Sequence, residues 1–111
     1  GRLLASGKPP TAIICGNDIL ALGVLFECRA RGLRVPADIS ITGFDDLELA
    51  ANVDPPLTTM RVPATEMGRR AAEYLLARLD DRRNDGRDDD EVAHKVELDV
   101  TLVVRGSTAA P

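Results

Sequence analysis

The chain has 111 residues and a mass of 11.9 kDa, room for one small domain. Hydrophobic residues make up 44% and charged residues 29%, the balance of a globular chain rather than a disordered one. The net charge of −4 is concentrated in residues 80–91, which hold seven acidic residues and three arginines against a neutral remainder. Neither part has the basic footprint of a nucleic-acid-binding surface. The three aromatics (Phe26, Phe44, Tyr74) are too few for a base-stacking platform. The longest apolar run, within residues 19–26, is too short to cross a bilayer. No apolar stretch of signal-peptide length is visible at the start. Gly1 is not an initiator Met, so an N-terminus upstream is expected. Cys15 and Cys28 make no disulfide framework and no metal-type cluster. Both are expected to be reduced core residues, consistent with a cytoplasmic chain.

Residues 3–7 read as the last turn of a helix stopped by Gly7. Pro9-Pro10 then force an extended entry. Residues 11–15 are short and β-branched, which predicts a strand buried on both faces, as in a parallel sheet. Gly16-Asn17-Asp18 is the turn that follows. Asn17 or Asp18 can cap a helix predicted from about Asp18 to Arg31, with Gly32 as its stop. Ile19, Leu20, Ala21, Leu22, Val24, Leu25, Phe26 and Cys28 go nearly all the way round that helix. It therefore needs two partners, the sheet and another helix or subunit. Residues 39–44 form a second strand ending at Asp45-Asp46. Residues 47–52 form a short helix broken by Asp54-Pro55-Pro56, and residues 57–62 a third strand. Pro63 opens a helix over 64–79 with an apolar stripe of Met67, Ala71, Tyr74, Leu75 and Leu79. Glu66 and Arg70 form an i,i+4 pair on its surface. Residues 80–90 lack periodicity and predict a mobile loop. Residues 96–104 alternate and predict a strand.

Strand–helix alternation of this kind defines an α/β fold with a largely parallel sheet. Ligands of open parallel sheets bind beyond the carboxyl ends of the strands. Here those ends carry Asn17-Asp18 and Phe44-Asp45-Asp46. Asp45 and Asp46 admit two readings: acceptors for ligand hydroxyls, or a cap for the 47–52 helix. Asn17 can donate and accept, which suits a sugar hydroxyl or a nucleobase edge, or it can serve the turn alone. A glycosidase pair is excluded because adjacent aspartates point apart. His94, beside the acidic tract, reads as solvated. Ser6, Ser40 and Ser107 have no nucleophile-elbow context, and no G-x-G-x-x-G or P-loop pattern occurs. The arginine-interrupted acidic tract is a poor cation cage. The residues thus point away from an enzyme and call for no metal and no cofactor.

Four motifs follow one another in order. The first is Pro10-Thr11-Ala12-Ile13-Ile14-Cys15-Gly16-Asn17-Asp18 with Ala21-Leu22-Gly23. The second is Gly32-Leu33-Arg34-Val35-Pro36-Ala37-Asp38-Ile39-Ser40-Ile41-Thr42-Gly43-Phe44-Asp45-Asp46. The third is Pro55-Pro56-Leu57-Thr58-Thr59 with Glu66-Met67-Gly68-Arg69-Arg70-Ala71-Ala72, and the fourth is Leu102-Val103-Val104-Arg105-Gly106-Ser107-Thr108. Together they resemble the LacI/GalR family of bacterial transcription repressors over nearly the whole chain, the acidic tract excepted.

The resemblance implies a partial, parallel-sheet, periplasmic-binding-protein-like type I fold. The chain would be the C-terminal portion of a two-subdomain effector domain. Residues 1–60 would belong to the C-terminal subdomain. Residues 61–105 would supply a crossover helix and strand to the N-terminal subdomain, with a flexible acidic loop at 80–91. Residues 106–111 would be a tail. Elements meant for two subdomains would leave apolar faces uncovered. The implied function is effector sensing and dimerisation in a cytoplasmic DNA-binding regulator. A small sugar or nucleoside-like effector would lie in the cleft between subdomains. Operator DNA would be reached through a helix-turn-helix domain absent from these residues, and no membrane is involved. Asn17 and Asp45 match effector-contacting positions. Asp18 and Asp46 would be structural or capping residues near the site. Ile19, Leu22, Phe26 and Val53 match the family's homodimer interface. One departure is Val62, where members often carry Gln. A periplasmic sugar-binding protein of a transport system is the alternative on the same fold.

Overall fold

The computed structural model describes residues 2, 4, 5, 10–85 and 95–110. The predicted helix end at 3–7 therefore falls largely outside the described residues, as do residues 86–91 of the acidic tract and His94. The elements are β1 (Ala12–Ile14), α1 (Asp18–Ala30), β2 (Ser40–Thr42), α2 (Glu48–Asn52), β3 (Thr59–Arg61), α3 (Ala64–Asp85) and β4 (Thr101–Val103). They fall into two compact units, Gly1–Val62 with Val100–Pro111, and Pro63–Asp99. β4 clusters with the first unit.

In the first unit β1 pairs parallel with β2, Ala12 opposite Ser40 and Ile14 opposite Thr42. From the other edge of β2, the N–H groups of Ile41, Gly43 and Asp45 donate to the carbonyls of Ser107, Thr58 and Met60, each at 2.9 Å. Parallel bridges Thr42–Thr58 and Asp45–Arg61 bring β3 alongside. β4 then pairs with β3 antiparallel, Met60 opposite Leu102. The parallel reading thus holds through β3 and fails at β4. The cause lies in the chain path: β3 leads out of the first unit and β4 leads back in, so the two run in opposite directions.

α1 is capped by Asn17, whose backbone is extended and whose side-chain oxygen accepts the Leu20 N–H at 2.8 Å. That bond satisfies one of the orphan donors of the first turn. Asp18 adds a negative charge at the positive end of the helix. The helix stops where Gly32 takes a φ of 74°, a conformation that costs glycine nothing sterically. Its inward face, Ala21, Leu22, Leu25 and Cys28, packs with Cys15, Ile39, Ile41, Ala50 and Leu57 as the core. Both cysteines are free and buried. Burial raises both thiol pKa values, which disfavours the reactive thiolate.

β1 is not buried on both faces. Ile14 is 87% exposed, because β1 lies at the edge of the array and no described residue covers that face. The C-terminal residues are held against β2 and β3 through Ser107. Ser107 is fully buried, accepts Thr58 N–H at 2.8 Å through its hydroxyl and donates to the Ile41 carbonyl at 2.6 Å.

In the second unit α3 runs past residue 79 to Asp85. This corrects the loop expected from residue 80. Arg82 and Arg83 favour helix, and no Gly or Pro intervenes before Gly86. The Glu66–Arg70 pair forms at 2.7 Å, and Arg69 bridges Glu66 and Glu73. Hydrogen bonds from Arg69 and Arg70 hold the Glu66 carboxyl down to about 2. These pairs are exposed and lend α3 only modest stability. Met67, Leu75, Leu76 and Leu79 are exposed on α3. Met67, Ala71 and Tyr74 line a groove with Val96 and Leu98. The strand expected over 96–104 shrinks to Thr101–Val103, since only β3 offers it hydrogen-bond partners.

Candidate functional site

The carboxyl ends of β1 and β2 bring Asn17, Asp18, Asp45 and Asp46 to one edge of the first unit. The main-chain N–H of Asp18 donates to the Phe44 carbonyl at 2.9 Å, tying the two strand ends together. Asp18 itself is fully buried. Its Oδ1 accepts the Thr59 hydroxyl at 2.6 Å and its Oδ2 accepts the Leu47 N–H at 2.8 Å. A buried carboxylate is tolerable because both oxygens are satisfied. Gly43 makes room for it, since a Cβ there would overlap Asp18 Oδ1. Asp18 therefore clamps the β1–α1 turn to α2 and to β3.

Asp46 has a different surrounding. Its carboxylate accepts Arg61 Nε on one oxygen and Arg105 Nη2 on the other, both at 2.6 Å. The side chain is only 8% exposed. The Arg61 hydrogen bond, aided by Arg105, holds its pKa below the usual carboxylate range. Arg105 further donates to the Leu57 carbonyl at 2.9 Å. Neither Asp45 nor Asp46 caps α2: its N-cap is Leu47, with no side-chain cap bond. For Asp46 the cap reading is thereby corrected to an ion-pair bridge.

Asp45 is exposed, and its carboxylate has no hydrogen-bond partner among the described residues. Its φ is 107° and that of Asp46 is 58°. Such angles are uncommon outside glycine, with Asp and Asn the most tolerant exceptions. Asn17 is half-buried, and its cap bond uses the side-chain oxygen, leaving the amide nitrogen as donor. The site edge thus offers a free acceptor pair on Asp45 and an amide donor on Asn17.

The residues proposed from sequence for a subunit interface separate into two kinds. Ile19 and Phe26 are each 57% exposed on the outer face of α1. Ile19, Leu20, Gly23 and Val24 line an apolar groove with Leu4 and Ile13. Leu22 is different: at 5% exposure it belongs to the chain's own core, in one cluster with Cys15, Ile39, Ile41 and Leu57. Val53 is half-buried and packs against the same core. Thr59, Arg61, Arg105 and Ser107 were not singled out from sequence. The available signal was Asp46 itself, since a carboxylate at a strand end must find cations if it is to be buried.

A model of the periplasmic binding protein-like domain matches residues 2–108. The Escherichia coli (strain K12) HTH-type transcriptional repressor CytR is 42% identical over 110 residues, covering 98% of this chain and 30% of CytR. The lac repressor dimer bound to operator and the anti-inducer ONPF superposes with a TM-score of 0.80 at 36% identity, over 98% of this chain and 35% of that one. A LacI family regulator from Enterococcus faecium with bound ribose gives a TM-score of 0.77 at 31% identity, over 97% and 37%. The class is therefore that of periplasmic-binding-protein-like domains. Within it, the chain belongs to the LacI/GalR family of transcription regulators, as part of their effector-binding domain. It spans about a third of the length of the relatives it matches.

Proposed function

We propose that this chain is the effector-sensing and dimerising portion of a cytoplasmic LacI-type repressor that binds a small sugar or nucleoside-like ligand. The observation that carries the reading is the placement of Asp45 and Asn17 at the carboxyl ends of two adjacent parallel strands, tied by the Asp18 N–H to the Phe44 carbonyl. A free carboxylate accepts two hydroxyl protons at once, the geometry a vicinal diol presents. The Asn17 amide adds a donor beside it. The relative with bound ribose supports this class of ligand. The open apolar face of α1, with Ile19 and Phe26, is the surface for a second copy.

Ligand acts by linkage. A molecule that binds one arrangement of the effector domain more tightly shifts the population toward it, and so changes the affinity of helix-turn-helix headpieces for operator DNA. The chemistry is binding only, and no step is catalysed. The test is Asp45→Ala in the full-length regulator, titrated by calorimetry with D-ribose, D-galactose and uridine. Affinity is expected to fall about tenfold or more, the value of hydrogen bonds to a charged acceptor. Operator binding without ligand should stay close to wild type. Unchanged affinity for a sugar that the wild type binds removes Asp45 from the site.

A further inference from the structure

We infer that Asp46, through Arg61 and Arg105, is the positioning residue that holds Asp45 in its ligand-facing conformation; this rests on the reading of Asp45 as a ligand contact. Three observations converge. First, Asp45 and Asp46 both lie at positive φ, so the turn does not hold itself and must be fixed by its surroundings. Second, specific bonds fix the turn. The Asp45 N–H donates to Met60 at 2.9 Å, and the residues flanking Met60 in β3 and following β4 deliver Arg61 and Arg105 to the next carboxylate at 2.6 Å each. Third, Asp46 is nearly buried whereas Asp45 is exposed, so one aspartate is anchored and its neighbour is presented.

The arrangement divides the labour of the Asp-Asp pair. Each oxygen of Asp46 meets a different arginine, one from β3 and one from the segment after β4. The turn is therefore gripped by two strands rather than one. Arg105 is tied further by its own N–H to the Thr58 hydroxyl at 2.9 Å, which fixes the side of the grip that solvent does not reach. Arg61 is 59% exposed, so it can be altered without opening the core. Without the anchor, backbone angles at 107° and 58° relax toward the negative φ that aspartate prefers. The Asp45 carboxylate would then point elsewhere, with its own chemistry untouched.

The experiment compares wild type, Asp46→Asn, Arg61→Gln and Asp45→Ala in the full-length regulator. Affinities for D-ribose, D-galactose and uridine are measured by calorimetry, and hydrogen exchange is followed at the amides of Asp45 and Ile41. Asp46→Asn should weaken binding about tenfold and speed exchange at Asp45 by a similar factor. The Ile41 amide, bonded to Ser107 further along the same edge, should keep its protection; a variant that merely loosens the fold would lose both. Arg61→Gln should move the same two readouts in the same direction by a smaller factor, and it decides the matter if Asp46→Asn does not fold. Wild-type exchange at Asp45 in the folded variant overturns the inference, whatever the three probes do. Asp45→Ala separates the two ideas: if it binds as wild type, the ligand reading falls, while exchange at Asp45 still decides whether Asp46 holds the turn.

Discussion

Replacing Thr59 by Val tests the clamp around Asp18. The two side chains have nearly the same shape, so no cavity opens and the change is confined to one hydroxyl. That hydroxyl donates at 2.6 Å to a carboxylate oxygen, and both residues are fully buried. Water cannot replace the lost donor. A hydrogen bond to a charged group contributes about 1.5–3 kcal/mol, and stranding a buried carboxylate oxygen adds its desolvation cost. A loss of about 2–3 kcal/mol in unfolding free energy follows. In urea titrations this appears as a lower midpoint with an unchanged slope. Asp18→Ala should cost at least as much, since it also orphans the Leu47 N–H. The double variant should cost clearly less than the two singles combined, with a coupling of about 2 kcal/mol, because a threonine facing no carboxylate has nothing to lose. A Thr59→Val loss below about 0.5 kcal/mol, or simple additivity, refutes the reasoning.

The remaining expectations concern surface and charge. Ile19→Asp and Phe26→Asp should shift the full-length protein from dimer toward monomer in sedimentation experiments while leaving its circular dichroism unchanged, since both side chains already meet solvent in the single chain. Leu22→Asp should instead collapse the fold, because it buries an unpaired charge; a folded, purely monomeric Leu22→Asp would contradict its place in the core. The Asp46 carboxyl is depressed below its unfolded value of about 3.9. Its contribution is therefore complete above about pH 4 and is lost as pH falls through the lower folded value. Urea midpoints of wild type and Asp46→Asn should accordingly differ most at neutral pH and converge in acid. A gap that stays constant to pH 2–3 would show that the charge of Asp46 is not what matters.

The order of strands and helices was legible because the signals are local. Asn17 caps the helix that its position suggests, Gly32 stops it, and the β-branched runs lie where β1 and β2 form. Misreadings arose where a second segment decides. Periodicity cannot rank the faces of a helix that is apolar all round, so Leu22 could not be told from Ile19 without the sheet it packs on. The charge run at 80–85 suppressed a helix reading, although nothing in it breaks a helix. Alternation over 96–104 promised a long strand, but strand length is set by the partner, and β3 is short. At the site, Asp45 and Asp46 were expected to differ in role, but what holds each could not be read from neighbouring residues. Their separation into a presented and an anchored carboxylate depends on Arg61 and Arg105, and Arg105 lies far along the chain. Asp18 shows the same dependence: its burial requires the missing side chain of Gly43 and the hydroxyl of Thr59.

Ser107 sets an order of events. Its contacts reach back to Ile41 and Thr58, closing loops of much of the chain's length. During synthesis β1, α1 and β2 emerge before Ser107 and can pair early. The Ile41 carbonyl and N–H on the second edge of β2 must wait, unsatisfied, until Ser107 leaves the ribosome. A chain stopped at Arg105 would carry Asn17, Asp18, Asp45 and Asp46 and still leave the Ile41 part of that edge unpaired. Quality control would then act on the molecule before its ligand site is ever tested.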